Sequence, residues 1–148
     1  MTPAERARKA ADVMWAGDSA SQWLGMELVS VGEGCATLRL QVRPQHANGH
    51  GICHGGIIFS LADSAFAFAC NSRNRVTVAQ FNQITYIAPA RVGDMLIATA
   101  EEVSVSGRNG IYDVGVATPE GADIARFRGH SRAIGGTLFD EDDHRRPE

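Results

Sequence analysis

Lysine is almost absent from this chain: of fourteen cationic side chains, thirteen are arginine and one is Lys9. That excludes mechanisms needing two lysines and disfavours a phosphate loop of the Gly-Lys-Ser/Thr type. A basic excess is also missing. With a net charge of −3 and pI ≈ 5.9, nothing in the composition displaces counterions from a phosphate backbone, so no nucleic-acid partner is expected. Cysteine is scarce and odd in number. Cys35, Cys53 and Cys70 follow no disulfide or metal spacing and read as free thiols in a reducing compartment. No long hydrophobic run exists either. The most apolar stretch, from Gly55 to Cys70, has 16 residues and carries Asp63 at its centre, too short and too charged to cross a bilayer, so no membrane partner is expected. The first twenty residues hold Glu5, Arg6, Arg8, Lys9 and Asp18 without an apolar leader region, and the expectation is a cytoplasmic protein.

What is there fits one globular unit. A length of 148 residues with 44% apolar and 21% charged side chains predicts a single domain over 1–148. Such a chain buries enough surface to fold without metal or disulfide.

Periodicity then orders the elements. Pro3–Trp15 predicts a helix, with Thr2 as N-cap, Pro3 in the first turn and Glu5 completing a capping-box pattern. Ala36–Arg43 alternates apolar and polar without a miss and predicts a strand, with Leu24–Val31 as hairpin partner across Gly32-Glu33-Gly34. Gln45–Cys53 is a polar, glycine-rich connection. His54–Asn71 predicts a long helix that is apolar nearly all round and must therefore be wrapped by other structure. Val76–Ile87, Met95–Val105, Ile111–Ala117 and Ile124–Ile134 predict strands separated by Pro and Gly turns, and 140–148 predicts a frayed charged tail. The fold class is α+β: one antiparallel sheet curled around one long helix, with leftover edge and helix surface that call for at least a dimer.

Asp63 carries the most chemical information. Phe59, Ser60, Phe66 and Ala67 lie one turn away, and a carboxylate on so apolar a helix surface is costly unless it is paired or functional. His54-Gly55-Gly56 opens the same helix. Free N–H groups at a helix start, with no side chain in the way, can hold an oxyanion or a polarised carbonyl. Asn48 precedes Gly49 and reads from the residues alone as a turn former. The cluster His46, His50, Cys53, His54 lacks metal-ligand spacing, because Gly49 and Gly51 oppose a helix, so no metal is expected. Cys53 beside His54 is not a nucleophile–base pair, since sequence neighbours rarely face each other. Nine residues separate His54 from Asp63, about 13 Å of helix axis, too far for both to touch one reacting carbon in the same chain.

Asn48-Gly-His-Gly-Ile-Cys-His54-Gly-Gly, followed by Leu61-Ala-Asp63-Ser-Ala, resembles the signature of hotdog-fold thioesterases of the PaaI type, the phenylacetic acid degradation branch. Tyr86-Ile-Ala-Pro-Ala-Arg-Val-Gly-Asp-Met-Leu96 and Gly107-Arg-Asn-Gly-Ile-Tyr-Asp113 are similar to the same branch, and the resemblance runs from about Leu24 to Ile134. It implies a long helix wrapped by a five- or six-stranded antiparallel sheet, assembled as dimers or tetramers with active sites shared between subunits. It implies hydrolysis of an aryl-acyl coenzyme A thioester of the phenylacetyl or hydroxyphenylacetyl type. No cofactor takes part, coenzyme A being part of the substrate. Asp63 would be general base or nucleophile, supplied by the neighbouring subunit. The Gly55 N–H would polarise the carbonyl, and Asn48 and His54 would position the carbonyl or the water. Gly56 would line the substrate site. Coenzyme A would lie near Ala88, Pro89, Ala90, Arg91, Val92 and Gly93, and near Ser106, Gly107, Arg108, Asn109, Gly110 and Ile111, with Arg91 and Arg108 on its phosphates. A polar position on the strand after the helix falls at Gln80 or Asn82, with Phe81 between them. Two other readings stay open: a hotdog-fold dehydratase or hydratase, and a non-catalytic acyl-CoA binding module.

Overall fold

A computed structural model describes residues 1–141; residues 142–148 of the charged tail lie outside the described residues. Helix α1 spans Pro3–Gly17, and Thr2 Oγ1 accepts from the Glu5 N–H at 3.1 Å, so the cap forms as the sequence predicts. Its buried face is Ala7, Ala10 and Ala11, a helical spacing of small residues. A second helix, α2 over Ser19–Leu24, was not expected. Six residues are too few to show a period, yet both of its ends carry signals: Asp18 accepts from the Ser21 N–H at 3.0 Å, and Gly25 closes it at φ 88°.

The remaining elements are β1 (Glu27–Gly32), β2 (Cys35–Gln41), α3 (Gly55–Cys70), β3 (Thr77–Tyr86), β4 (Met95–Ser106), β5 (Asn109–Ala117) and β6 (Asp123–Ala133), with a short 3₁₀ turn at Pro44–His46. The expected boundaries hold to within a few residues, the largest shift being at the start of β1, where α2 takes Leu24. All six strands form one antiparallel sheet in the order β1-β2-β4-β5-β6-β3. Six strands is the upper of the two expected numbers.

Alternation puts Ala36, Leu38 and Leu40 of β2, Leu96, Ala98 and Ala100 of β4, and Tyr112, Val114 and Val116 of β5 on the concave face, all buried. Against them α3 buries Ile58, Leu61, Ala62, Ala65, Phe66, Phe68 and Ala69. The alanines on both sides let helix and sheet approach closely, and Phe66 fills the space that remains. Its ring lies edge-on to Tyr112, with centroids 5.6 Å apart, and tilted against Phe127 at 5.9 Å. It also covers Gly129, where an added Cβ would sit 2.8 Å from three ring atoms.

The sheet has two open edges, β1 and β3. Among the described residues β3 pairs only with β6, so its ten residues leave one row of backbone donors and acceptors without a strand partner there, with Val78, Phe81 and Tyr86 exposed along it. No helix among the described residues is long and apolar enough to cross a membrane.

Candidate active site

The start of α3 is built by the glycine-rich connection before it. Asn48 folds that loop: its Oδ1 accepts from the His50 N–H at 2.9 Å and the Ile52 N–H at 3.4 Å, while its own N–H bonds the Ile52 carbonyl at 2.8 Å. Asn48 is thus the turn former that its place before Gly49 suggests. Asn48 also lines the neighbouring cavity. Cys53 N–H bonds the Ala90 carbonyl at 2.8 Å, and Ile52 bridges Arg91, which holds the Ala88–Gly93 loop against the helix start.

His54 caps the helix. Its Nδ1 accepts from the Gly56 N–H at 2.8 Å, which uses one of the free amides and leaves Nε2 exposed. The Gly55 N–H donates to no acceptor among the described residues. A side chain at Gly55 would crowd Tyr86. A Cβ would meet Tyr86 Cζ at 3.1 Å, and the Tyr86 hydroxyl donates to the Gly55 carbonyl at 2.9 Å. These groups border a pocket of about 460 Å³ lined by Asn48, Ile52, Cys53, Gly55, Ile58, Tyr86, Ile87, Ala88 and Pro89. Its walls are apolar apart from the amide of Asn48, the helix start and the Tyr86 hydroxyl. Cys53 is no nucleophile in it: burial pushes its thiol up to about 11, so the thiolate is scarce at neutral pH.

Asp63 does not line this pocket. It lies eight residues along α3 from Gly55, about 12 Å of axis. There it is half-buried, and its Oδ1 accepts from Asn82 Nδ2 of β3 at 2.9 Å. Burial raises the carboxyl above its ordinary range, the Asn82 bond lowers it, and the Asp18 charge raises it again. Asp18 reaches this neighbourhood through α2. Its Oδ2 accepts from Ser21 Oγ at 2.7 Å, and that hydroxyl lies 2.8 Å from Ser64 Oγ on α3. Tyr86, Asp18, Ser21 and Ser64 are side chains for which the sequence reading named no role. Tyr86 lies in one of the quoted motifs and Asp18 at a capping position, which were the available signals.

The two expected coenzyme A segments do not converge within one chain. Ala88–Gly93 lies at the N-terminal end of α3 and Ser106–Ile111 is the tip of the β4–β5 hairpin, so the twelve residues of β4, on the order of 35 Å along the strand, separate them. Gln80 belongs with the second segment, in a pocket of about 260 Å³ shared with Ser106, Asn109, Gly110, Ile111 and His130. Asn82, two residues on, belongs with Asp63. Arg91 and Arg108 are exposed and form no ion pair among the described residues. His46 is buried, with Nδ1 accepting from the Arg43 N–H and Nε2 against the Leu24 carbonyl, both at 2.9 Å, so both ring nitrogens are engaged within the fold. Among the described residues no three His, Cys, Asp or Glu side chains converge as metal ligands would.

Residues 50–125, from the loop before α3 to the start of β6, match the thioesterase superfamily. The acyl-coenzyme A thioesterase PaaI of Escherichia coli is 40% identical over 131 residues, covering 88% of this chain and 94% of that protein. The chain belongs to the thioesterase superfamily, in its PaaI-type acyl-CoA branch. A putative esterase of Archaeoglobus fulgidus is 36% identical over 118 residues, covering 80% of this thioesterase and 77% of the relative. The solved structure of the E. coli PaaI protein superposes with a TM-score of 0.90 at 39% identity, covering 92% of this thioesterase and 99% of that chain. The helix wrapped by six strands is therefore the hotdog fold.

Proposed function

We propose that this acyl-CoA thioesterase hydrolyses aryl-acyl thioesters of the phenylacetyl or hydroxyphenylacetyl type, in a site completed by two subunits. The observation that carries the reading is the separation on α3. A free Gly55 N–H faces an apolar pocket, and a half-buried carboxylate sits about 12 Å further along the same helix. An antiparallel pair of such helices would place the Gly55 end of one beside the partner subunit's Asp63. The open β3 edge and the exposed Val78, Phe81 and Tyr86 supply the surface for that pairing, which supports a dimer or a dimer of dimers.

In this arrangement the acyl group enters the pocket beside Ile58 and Ile87, and the thioester oxygen accepts from the Gly55 N–H, with Asn48 Nδ2 as second donor. The helix dipole adds to both as negative charge develops on that oxygen. The partner subunit's Asp63 either takes a proton from water, which attacks the carbonyl carbon, or attacks the carbon itself. The C–S bond then breaks, and the products are the free acid and coenzyme A. The exposed Arg91 and Arg108 serve the phosphates, each from a different subunit, and no cofactor is invoked.

The dehydratase alternative needs a histidine free to move protons, and His54 spends Nδ1 on capping α3. A pure binding module would gain nothing from a half-buried carboxylate. The test is thiol release from a panel of acyl-CoAs by wild type and Asp63→Asn. The expected outcome is turnover, highest on phenylacetyl-type substrates, that falls by about 10²-fold or more in the isosteric variant with assembly intact. Binding of the panel without thiol release would refute the hydrolase assignment, and a preference for straight-chain acyl groups would refute the aryl one.

A further inference from the structure

Asp18 stands three residues before Ser21, and this spacing builds both the cap of α2 and a link to α3. Asp18 Oδ1 accepts from the Ser21 N–H at 3.0 Å and Oδ2 from the Ser21 hydroxyl at 2.7 Å, so both oxygens accept, the bonding pattern of an ionised carboxylate. The Ser21 hydroxyl spends its one hydrogen on Asp18. Its 2.8 Å contact with Ser64 Oγ is therefore donated by Ser64, and the chain of bonds runs from α3 through the buried Ser21 to Asp18. Ser64 is the residue after Asp63. The link thus holds one carboxylate in the neighbourhood of another with no cation to match them: neither Asp18 nor Asp63 forms an ion pair among the described residues. Like charges placed so raise the cost of ionising the group with less support for its charge. That group is Asp63, half-buried with a single bond from Asn82.

We propose that Asp18 is a positioning residue of the hydrolysis, a fixed negative charge that makes Asp63 a stronger base, held in place by the Ser21–Ser64 bond. This rests on the assignment of Asp63 above and deepens it by giving α2 a task in catalysis, whichever of its two roles Asp63 takes. A stronger base removes a proton from water more readily, and the same carboxylate attacks a carbonyl carbon more readily. Asp18 and Ser21 precede residues 50–125, so this charge comes from outside the part of the chain matched to the superfamily.

The groups that face Asp63 make the proposal testable. From α2 comes Asp18, from β3 the uncharged Asn82, and from α3 itself Cys70, two turns on, whose thiol burial pushes up to about 12 and so leaves neutral. Among the described residues α1 and the other strands bring no further charge to bear on it. Burial is the largest influence raising the Asp63 carboxyl, the Asn82 bond opposes it, and the Asp18 charge adds to it. Removing that charge alone leaves burial and Asn82, so Asp63 ionises at lower pH and is a weaker base once ionised. The acid limb of activity then moves to lower pH while the plateau falls. A lost cap or a loosened helix would instead lower the rate by one factor at every pH.

The experiment measures thiol release from phenylacetyl-CoA and hexanoyl-CoA between pH 4 and 8 by wild type, Asp18→Asn, Asp18→Ser, Asp18→Glu, Asp63→Asn and Glu120→Gln. Asparagine and serine both cap helices, so the first two variants remove the charge and keep the cap, while glutamate keeps the charge and caps poorly. For Asp18→Asn the expected result is an acid limb of kcat/KM moved to lower pH on both substrates, a plateau kcat lower by about 2–5-fold, and KM within about 2-fold. Asp18→Ser is expected to behave alike and decides the matter should the asparagine variant fail to fold. Asp18→Glu should keep the limb near that of wild type, and Glu120→Gln, which removes a charge at the β5–β6 turn, should change nothing. An acid limb that stays in place or moves upward in Asp18→Asn overturns the proposal, as does a loss of equal size at every pH, or a limb that Asp18→Glu moves as far as Asp18→Asn does. If Asp63→Asn turns over like wild type, the underlying assignment fails as well; if Asp63→Asn is inactive while Asp18→Asn keeps the wild-type profile, only the role of Asp18 fails.

Discussion

Gly129→Ala tests how tightly α3 is held against the sheet. The new Cβ would lie 2.8 Å from Cδ2, Cε2 and Cζ of Phe66, closer than real methyl groups approach. The ring cannot retreat easily, since Phe66 is 1% exposed and meets Tyr112 and Phe127 on its other sides. Overpacking of this kind costs about 1–3 kcal/mol. Replacing glycine within a strand returns roughly 0.5–1 kcal/mol, because the unfolded chain loses freedom and Gly129 does not need positive φ. The net expectation is about 1–2 kcal/mol of destabilisation, or about 3–6 °C in Tm for a domain of this length. Thermal unfolding at fixed protein concentration measures it, with Gly115→Ala as control, where the nearest atom is Arg126 Nη1 at 3.6 Å and little change is expected. A double variant with Phe66→Leu should recover part of the loss, since the clash is with that ring. A Gly129→Ala protein as stable as wild type would refute the packing argument.

Two further outcomes follow from the site and its supports. Gly55→Ala should lower kcat by about 10-fold or more with Tm little changed, because its Cβ crowds the Tyr86 ring at 3.1 Å beside the proposed oxyanion donor; steady-state thiol release checks it. Arg73→Ala should destabilise the protein at neutral pH, since Arg73 and the Tyr112 hydroxyl both donate to the part-buried Glu102 and hold its carboxyl below the usual glutamate range. A lowered folded-state pKa contributes stability above the unfolded pKa that is lost as pH falls through the folded value, so urea melts should show the difference from wild type shrinking as pH drops below about 4.

Much of the fold was legible because local rules met no opposition. Thr2 and Glu5 predicted the α1 cap that forms, the unbroken alternation of 36–43 became β2, and the all-round apolar 54–71 became the wrapped helix. The unexpected α2 was too short for a period, although its Asp18 and Gly25 ends were visible. At the site, the distance between His54 and Asp63 could be computed from helix rise alone, and the structure keeps both on one continuous helix with His54 as its cap. The Asp63–Asn82 bond could not be computed, because it joins residues 19 apart through the β3–β6 register. The two coenzyme A segments looked like neighbours in function, and only the length of β4 between them shows that one chain cannot bring them together.

The sequence by itself determined most of the element types, the α+β class and the family. Those follow from periodicity, caps and short motifs, which are properties of residues near one another in the chain. Tertiary structure decided the strand order β1-β2-β4-β5-β6-β3, which leaves β3 open at an edge. It also decided the ring that forces glycine at 129 and the strand amide that holds Asp63. Each of these depends on which distant segments share a face, and that is set by the burial of one helix against one sheet rather than by any local preference.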